Sequence, residues 1–419
     1  MVARDHAAPE ALTGPFVYFL LSVRLLSFFF STATMPSPRT YDVIVAGLGA
    51  MGSSAAYQLA RRGQRVLGLD RFDPPHTMGS THGHSRIIRT AYWDDPSYVP
   101  LVGRAHESWR ELEAASGERL YYPTGQLYLG AHDSMLVSGA RDSVRLNNIP
   151  HEEISGAALA QRAPGLRAPA ETVAIWEPHA GVLLPELAVA TFLKLAKQAG
   201  AAIHTEEPLI RWNAEGEGVT VTTPRAAYRA DRLVLTLGAW MGKLVPGLGV
   251  PLAAERQVMH WFRPKPGTAG IGPDRIACFM WEYEPGHIWY AVPDMGDGFK
   301  AGIHHDGPKS DPDAVDRHIS AHDVERVSTR VREMVPDADP SPVASAVCFY
   351  TDTPDGQFLI DTHPESQAVV VASPCSGHGF KFASVIGELL ADLAMTGSTD
   401  ADLSLFRLAR HRAAAAVKS

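Results

Sequence analysis

One unbroken apolar run near the start of the folded region is typical of a strand buried on both faces. Residues 42–46 read DVIVA, without the polar alternation of a strand that has one face in water. A helical period follows over residues 50–62, and a second apolar run, RVLGLD, occupies residues 65–70. We therefore predict a strand, a helix and a parallel strand, the beginning of a layered α/β domain.

Later segments predict further elements of the same kinds. Residues 185–198 have the period of a helix, and residues 232–237 form a short apolar strand. Residues 369–394 read as an apolar strand, a glycine-rich loop and a helix. Residues 77–89, TMGSTHGHSRIIR, are polar and cationic except for two isoleucines, and we interpret them as a loop that enters a buried helix.

A glycine-rich loop joins the first strand to the first helix. Gly47, Gly49 and Gly52 form the pattern G-x-G-x-x-G. The first glycine allows the tight turn, the second lets the backbone approach a pyrophosphate, and the third allows helix and strand to pack closely. Asp70 ends the second strand at the spacing where a carboxylate binds ribose hydroxyls. The loop predicts a dinucleotide site for NAD or FAD, and it does not choose between them.

Length, charge and cysteine content narrow the function further. The chain has 419 residues, 45% of them hydrophobic and 20% charged, which suits a globular protein of two domains. The formal net charge of −8 argues against a nucleic-acid partner, because such binding needs a basic surface. Three scattered cysteines are too few for a disulfide framework or a cysteine-based zinc site.

Two histidine pairs bear on whether the protein binds a metal. His82 and His84 are spaced His-x-His, but no third ligand stands at metal-site spacing. His304 and His305 are adjacent, and adjacent strand residues point to opposite faces of a sheet. We predict no metal site.

Residues 14–32 form the one long apolar stretch, about 28 Å as a helix and nearly a bilayer core. Arg24 at its centre and the absence of a positive region before it argue against an anchor or a secretion signal. The preferred interpretation is a start codon placed too far upstream, with Met35 as the natural beginning. We expect a cytoplasmic protein, and membrane association or export only if this stretch is genuine.

Four motifs resemble the monomeric sarcosine oxidase and N-methyltryptophan oxidase family of flavoenzymes, which also includes the pipecolate oxidases. They are the glycine loop, HGHSRIIR at residues 82–89, CFYTDTPD from Cys348, and SGHGFKF from Ser376. The resemblance covers about residues 41–410. The sequence departs from the family pattern at His84 and Ser85, where the family has Asp and Thr, and this bears on local pKa values and on the substrate range.

The resemblance implies FAD as the cofactor, linked covalently through Cys348. A thiolate can add to the 8α carbon of the flavin when nearby positive charge lowers the thiol pKa. Cys278 and Cys375 match no family cysteine, and we interpret them as ordinary buried residues. The cofactor-binding residues would be Gly47, Gly49, Gly52, Asp70, Cys348 and Gly377.

The resemblance also implies roles for residues that would contact the substrate or oxygen. Arg89 and Lys381 would anchor the substrate carboxylate, a planar fork and a point charge together. Lys300 would stabilise superoxide during oxygen reduction. The remaining residues would line the flavin and substrate, with His82, Arg86 and His378 as polar catalytic groups and Tyr290 and Tyr350 as aromatic walls.

We therefore expect an oxidase that takes a hydride from the N-methyl carbon of sarcosine or N-methyl-L-tryptophan. Oxygen would be reduced to hydrogen peroxide, and the products would be formaldehyde and the demethylated amino acid. Two alternatives stay open: an oxidase of a cyclic secondary amino acid such as L-pipecolate, and a flavin dehydrogenase that passes electrons to a carrier. The intact set of Cys348, Lys300, Arg89 and Lys381 disfavours a scaffold protein on a dead fold.

The expected fold is α/β, with a Rossmann-type FAD domain interleaved with a smaller substrate domain built on an antiparallel sheet. The FAD domain would comprise residues 38–120, 180–250 and 340–412, after an N-terminal extension over residues 1–37. The substrate domain would comprise residues 121–179 and 251–339. We expect a monomer whose partners are a small secondary amino acid and O₂.

Overall fold

The computed structural model describes residues 39–411. The helices are α1 Ala50–Arg61, α2 Tyr98–Ser116, α3 Met135–Leu146, α4 Gly156–Arg162, α5 Pro185–Gln198, α6 Met241–Leu244, α7 Ala321–Met334 and α8 Ala383–Thr396. The first nine strands are β1 Arg39–Ala46, β2 Val66–Leu69, β3 Arg86–Ile88, β4 Tyr121–Tyr122, β5 Gln126–Gly130, β6 Glu152–Ser155, β7 Val173–Glu177, β8 Gly181–Leu183 and β9 Ala202–His204. The others are β10 Arg211–Glu215, β11 Gly218–Thr222, β12 Ala227–Leu235, β13 Ala253–Phe262, β14 Cys278–Glu284, β15 His287–Val292, β16 Phe299–His304, β17 Ala344–Asp352, β18 Leu359–His363 and β19 Ser366–Ser373.

The first large sheet has β1 at its centre, parallel to β12 on one side and to β2 on the other. Strands β9 and β19 extend this parallel core, and antiparallel strands complete the edges. Val43 and Val45 pack into one hydrophobic cluster with residues of α1, α5 and α8, while Ile44 and Ala46 pack into another on the opposite face. Burial on both faces explains why this strand is apolar throughout, and it confirms the predicted α/β fold.

The second large sheet has the order β17-β13-β16-β15-β14-β5-β7-β6. Its pairs are antiparallel except for β14 with β5, which run parallel. The domain boundaries drawn from the sequence stay a prediction, with one change required by the strand pairing. Strand β17 falls within residues 340–412, which we assigned to the FAD domain, but it pairs along its length with β13 in this second sheet.

The predicted elements are present with two strands longer than expected, since β1 begins at Arg39 and β12 at Ala227, and one prediction was wrong in kind. The helix predicted over residues 50–62 is α1, and the helix predicted over residues 185–198 is α5. The interpretation of residues 77–89 as a loop entering a helix was wrong, because residues 86–88 form β3, paired with β8. Two isoleucines are too short a run for periodicity to distinguish strand from helix, and the pairing partner lies far along the chain.

Helix α8 packs directly against α1. Gly387 contacts Ser54, and the hydroxyl of Ser54 donates to the main-chain oxygen of Ser384 over 3.4 Å. This packing brings the loop before α8 to the glycine loop before α1. The apolar stretch 14–32 and Met35 lie outside the described residues. None of the helices between residues 39 and 411 combines the length and apolar character that crossing a bilayer requires.

Candidate functional site

A cavity of 470 Å³ is lined by residues of both large sheets and of the two glycine-rich loops. Most of the residues singled out from the sequence meet there. Those that line it are Gly47, Gly49, Asp70, Arg86, Arg89, Tyr290, Lys300, Cys348, Tyr350, Gly377, His378 and Lys381. Of the predicted set, Gly52 and His82 are not among the lining residues of the described chain.

At one end of the cavity the backbone of the glycine loop is packed too closely for side chains. A Cβ on Gly47 would lie 2.4 Å from the main-chain oxygen of Thr236, and one on Gly52 would lie 1.7 Å from the oxygen of Gly47. Gly52 therefore sits behind the loop, where it allows α1 to approach β1. The start of α1 is left facing the cavity, and its free N–H groups and helix dipole suit a pyrophosphate.

The carboxylate of Asp70 is fixed at the same end by two main-chain N–H groups. Leu48 donates to one oxygen over 2.6 Å, and Phe72 donates to the other over 2.8 Å. Burial raises the pKa of Asp70, and these hydrogen bonds oppose that effect. Asp70 therefore ties the glycine loop to the end of β2 and also borders the cavity, where it could accept from ribose hydroxyls.

Cys348 lies in the middle of β17, buried and bordering the cavity. Burial raises the pKa of its thiol, while the nearby cations Arg86, Lys300 and Arg317 act in the opposite direction. Positive charge is thus present, as the sequence-based argument for thiol reactivity required, but burial has the larger effect in this protein.

Lys381 is a buried cation whose hydrogen bonds go to neutral oxygens. Its side chain is 4% exposed, and its ammonium donates to the main-chain oxygen of His378 over 2.5 Å and to the hydroxyl of Tyr92 over 3.5 Å. Burial and the charge of Arg89 hold its pKa well below 10.5. The indole of Trp109 donates to the main-chain oxygen of Lys381 over 2.8 Å and fixes the backbone there.

Arg89, the other predicted anchor, is 3% exposed and stacks over the ring of Tyr92 with its carbon 4.3 Å from the ring centroid. Its guanidinium donates to the main-chain oxygen of Ala91 over 2.7 Å and to the carboxylate of Asp94 over 3.3 Å. Sequence reasoning missed Asp94, because no motif marks a carboxylate that pairs with a buried arginine five residues earlier.

Tyr92 connects the anchors to His378. The Tyr92 hydroxyl lies 2.5 Å from Nδ1 of His378, and the ring of His378 stacks on Phe358 with centroids 4.6 Å apart. Burial and the charges of Lys381 and Arg89 hold the pKa of His378 well below 6.5. His378 is therefore a neutral hydrogen-bonding group at the cavity wall near neutral pH.

Lys300 and Arg86 also line the cavity, and both bind the same stretch of backbone. The ammonium of Lys300 donates to the main-chain oxygens of Gly83 and Ser85, at 3.1 Å for Gly83. Arg86 donates to the oxygens of Ser85 and Ser80, each over 2.8 Å. Burial and the neighbouring Arg86 lower the pKa of Lys300 well below 10.5.

His304 is a cavity residue that sequence reasoning dismissed. Its Nδ1 lies 3.2 Å from the Tyr350 hydroxyl, and burial holds its pKa well below 6.5. The expectation that His304 and His305 point to opposite faces was wrong, because β16 ends at His304 and His305 has a φ of 54°. The two rings lie 4.3 Å apart, centroid to centroid.

His82 is buried behind the cavity rather than in its wall. It is 2% exposed, and its Nε2 has no hydrogen-bond partner among residues 39–411. Burial, with the charge of Arg86, lowers its pKa to about 4. His82 therefore stays neutral at neutral pH.

One cluster has the composition of a metal site. Ligand atoms of Glu255, His305 and Asp352 lie within 4.8 Å of one another. The ammonium of Lys309 already donates to both carboxylates, over 2.7 Å to Glu255 and 2.5 Å to Asp352. We interpret the cluster as an ion-pair network, because Lys309 supplies the positive charge that a metal would bring.

Comparison with known proteins gives matches over most of the chain. Residues 42–393 match the family model described as FAD dependent oxidoreductase. The chain is 41% identical over 381 residues to a protein of Streptomyces avermitilis named monomeric sarcosine oxidase, covering 90% of this chain and 99% of that one. It is 34% identical over 374 residues to a protein of Yersinia pestis named N-methyl-L-tryptophan oxidase, covering 89% of this chain and all of that one.

The chain is also similar to a solved structure of an amino acid oxidase. NikD, described as an unusual amino acid oxidase essential for nikkomycin biosynthesis, superimposes with a TM-score of 0.79 at 26% identity, covering 88% of this chain and 97% of that one. The family resemblance seen in the sequence motifs is confirmed by these matches, and so is the mixed α/β fold.

Proposed function

We propose that this chain, which belongs to the FAD dependent oxidoreductase family and to its group of monomeric sarcosine oxidase and N-methyl-L-tryptophan oxidase relatives, oxidises an N-methyl amino acid. The proposal takes its substrate class from the names of these relatives. It gains support from the cavity, whose wall contains two buried cations next to aromatic side chains.

The observation that carries the proposal is that Lys381 is buried and donates its hydrogen bonds to neutral oxygens instead of a carboxylate. A buried ammonium whose hydrogen bonds go to neutral oxygens has lost hydration without gaining an ion pair, and this costs free energy. A substrate carboxylate entering the cavity would supply the missing negative charge. Arg89 approaches the same Tyr92 ring and would provide the second contact.

The glycine cradle fits FAD. The close approach of Gly47 and Gly52 to neighbouring backbone leaves room for phosphates at the start of α1, and Gly49 and Asp70 border the same space. Gly377 lines the same cavity in the second loop, and it has to be a glycine because a Cβ there would lie 2.8 Å from both His304 and Tyr350. When bound, FAD supplies a hydride acceptor for the amine and a route for two electrons to oxygen.

The roles of the chain's own residues follow from their positions. Arg89 and Lys381 would hold the carboxylate and so orient the N-methyl carbon. Tyr290 and Tyr350 would exclude water around it, and Arg86 would act as a cationic hydrogen-bond donor at the cavity wall. Neutral His378 would hold the Tyr92 hydroxyl beside the two anchors. Lys300 would stabilise the negative charge that develops on oxygen during its reduction to hydrogen peroxide.

We also propose that Cys348 attaches the flavin covalently. The thiol borders the cavity, and three nearby cations act to lower its pKa against the larger, opposing effect of burial. The bond would be a thioether to the 8α carbon, and the two electrons released as the thiol and this carbon lose their protons would pass to O₂. The geometry of the site does not bear on the oligomeric state or the location of the protein, so a monomer and a cytoplasmic location remain predictions.

Two measurements on the purified protein test the function. The first follows oxygen uptake and peroxide formation with sarcosine, N-methyl-L-tryptophan and L-pipecolate. The second precipitates the protein in acid, with Cys348→Ser as the comparison. We expect peroxide with an N-methyl amino acid, and yellow colour in the wild-type pellet but in the supernatant of the variant.

Other outcomes would change the proposal in specific ways. Turnover with L-pipecolate alone would identify an oxidase of cyclic secondary amino acids. Reduction of an artificial electron acceptor without oxygen uptake would identify a dehydrogenase and exclude the proposed role of Lys300. Flavin that leaves the wild-type protein in acid would exclude the link through Cys348.

A further inference from the structure

The loop formed by Gly83, His84 and Ser85 is held from two sides by charged side chains. On one side is Lys300, whose ammonium donates to the main-chain oxygens of Gly83 and Ser85. On the other side is Glu186, the second residue of α5. Its carboxylate accepts from the N–H of Gly83 over 2.6 Å and from the N–H of His84 over 3.1 and 3.2 Å.

The backbone of this loop does not adopt its shape by local preference. His84 has a φ of 64°, in the left-handed region, where a residue with a Cβ is strained by about 1 kcal/mol. The preceding Gly83 has a φ of 103°. Such a conformation persists only where surrounding contacts fix it, and the three hydrogen bonds to Glu186 are among those contacts, together with those from Lys300.

Glu186 also interacts electrostatically with the buried Lys300 and the half-buried Arg86. Among residues 39–411, neither Lys300 nor Arg86 has a carboxylate within ion-pair distance, and both donate to loop carbonyls instead. The charge of Glu186 acts to raise the pKa of Lys300 against burial and Arg86. Burial acts to raise the pKa of Glu186 itself, but the loop N–H groups and Arg86 outweigh it and hold that pKa below its usual range.

We propose that Glu186 is a positioning residue for Lys300. Its carboxylate fixes the N–H side of the loop, so that the carbonyls on the other side hold the Lys300 ammonium at the cavity wall. Glu186 does not line the cavity, and it acts through the loop and through its charge. The expected kinetic consequence rests on the proposed function, while the structural consequence does not.

The structural consequence is tested by hydrogen–deuterium exchange of the peptide that covers residues 80–89. In Glu186→Ala both N–H groups lose their acceptor, and we expect their exchange to rise about 10-fold or more. In Glu186→Gln an oxygen acceptor remains, so exchange should stay close to wild type. Unchanged exchange in Glu186→Ala would overturn the proposal, whatever the enzyme turns out to oxidise.

A matched control is available on α2. Glu113 accepts from the N–H groups of Leu120 and Tyr121 over 2.7 and 2.9 Å, away from the cavity lining. Glu113→Ala removes the same kind of loop contact elsewhere. It should raise exchange around residues 120–121 and leave that of residues 80–89 unchanged.

The kinetic consequence is a split between the two half-reactions. In Glu186→Ala we expect the rate constant for reoxidation by O₂ to fall about 10-fold, with anaerobic reduction by substrate changed less than about twofold. In Glu186→Gln, the rate constant for reoxidation should begin to decrease with rising pH at a lower pH than in wild type, because Lys300 has lost a countercharge. An equal loss in both half-reactions would show general damage and overturn the positioning role. A protein that oxidises no amino acid would refute the proposed function and leave the exchange result to decide on Glu186.

Discussion

The ammonium of Lys381 and the guanidinium of Arg89 approach the same ring, that of Tyr92, at 5.4 Å and 4.3 Å from its centroid. Two like charges in a buried site repel each other, and Asp94 contacts only Arg89. The pair is therefore arranged to receive an anion. This arrangement connects the cavity to the carboxylate that amino acids share.

Replacing Lys381 by Met tests this relationship most directly. The variant keeps the length of the side chain but removes the charge, so we expect the KM for the amino acid to rise about 100-fold or more. Lys194→Met on the exposed face of α5 is the control and should leave KM unchanged. A KM within threefold of wild type for Lys381→Met would exclude Lys381 as a carboxylate anchor.

The same lysine predicts a pH dependence. Burial and the charge of Arg89 hold the pKa of Lys381 well below 10.5, with Asp94 opposing them. An ammonium is charged below its pKa, so one of the two cations is lost as pH rises through that lowered value. We expect KM to increase as pH rises through that lowered pKa, below the range in which an ordinary lysine loses its charge. Lys381→Arg, which stays charged, should give a flatter profile, and an identical rise in both proteins would assign the dependence to another group.

The parts of the fold that are determined by residues close together along the chain could be predicted from the sequence. The strand, glycine loop and helix from β1 to α1 follow one another within 23 residues, and each has its own local signal. Lys381 and Cys348 were found through motifs that resemble a known family. The α/β beginning of the fold and a dinucleotide site followed from the local patterns, and the choice of FAD followed from the family resemblance.

The contacts that support these residues could not be predicted. Glu186 lies about 100 residues from the loop it binds, and the strand β3 is defined only by its pairing with β8. His304 was dismissed by strand alternation, which fails because the strand ends there. Such contacts depend on tertiary structure, which no local period encodes.

Gly52→Ala tests the glycine cradle. The added Cβ would lie 1.7 Å from the main-chain oxygen of Gly47, so α1 must move away from β1. We expect protein with less than about a tenth of the wild-type flavin content, measured by absorbance after purification. Gly103→Ala is the matched control, since its Cβ would meet no atom within 4 Å on α2. That variant should keep its flavin and gain roughly 0.5–1 kcal/mol of stability.

His106 predicts how stability changes with pH. It is buried on α2, with its Nε2 3.3 Å from the hydroxyl of Thr90, and burial lowers its pKa from 6.5 to about 4. Between these values the unfolded state binds a proton that the folded state does not. The stability that depends on neutral His106 is therefore fully present above pH 6.5, and it is lost as pH falls toward 4.

His106→Gln removes this titration and keeps a polar group near Thr90. The free energy of unfolding, measured by urea denaturation, should fall less between pH 6.5 and 4 in the variant than in wild type, by up to about 3 kcal/mol. His82, with a pKa that burial also lowers to about 4, titrates in the same direction in both proteins, so the difference between them isolates His106. Equal losses would mean that His106 is already protonated in the folded state, which would require water or a nearby acid at a site the structure shows as buried.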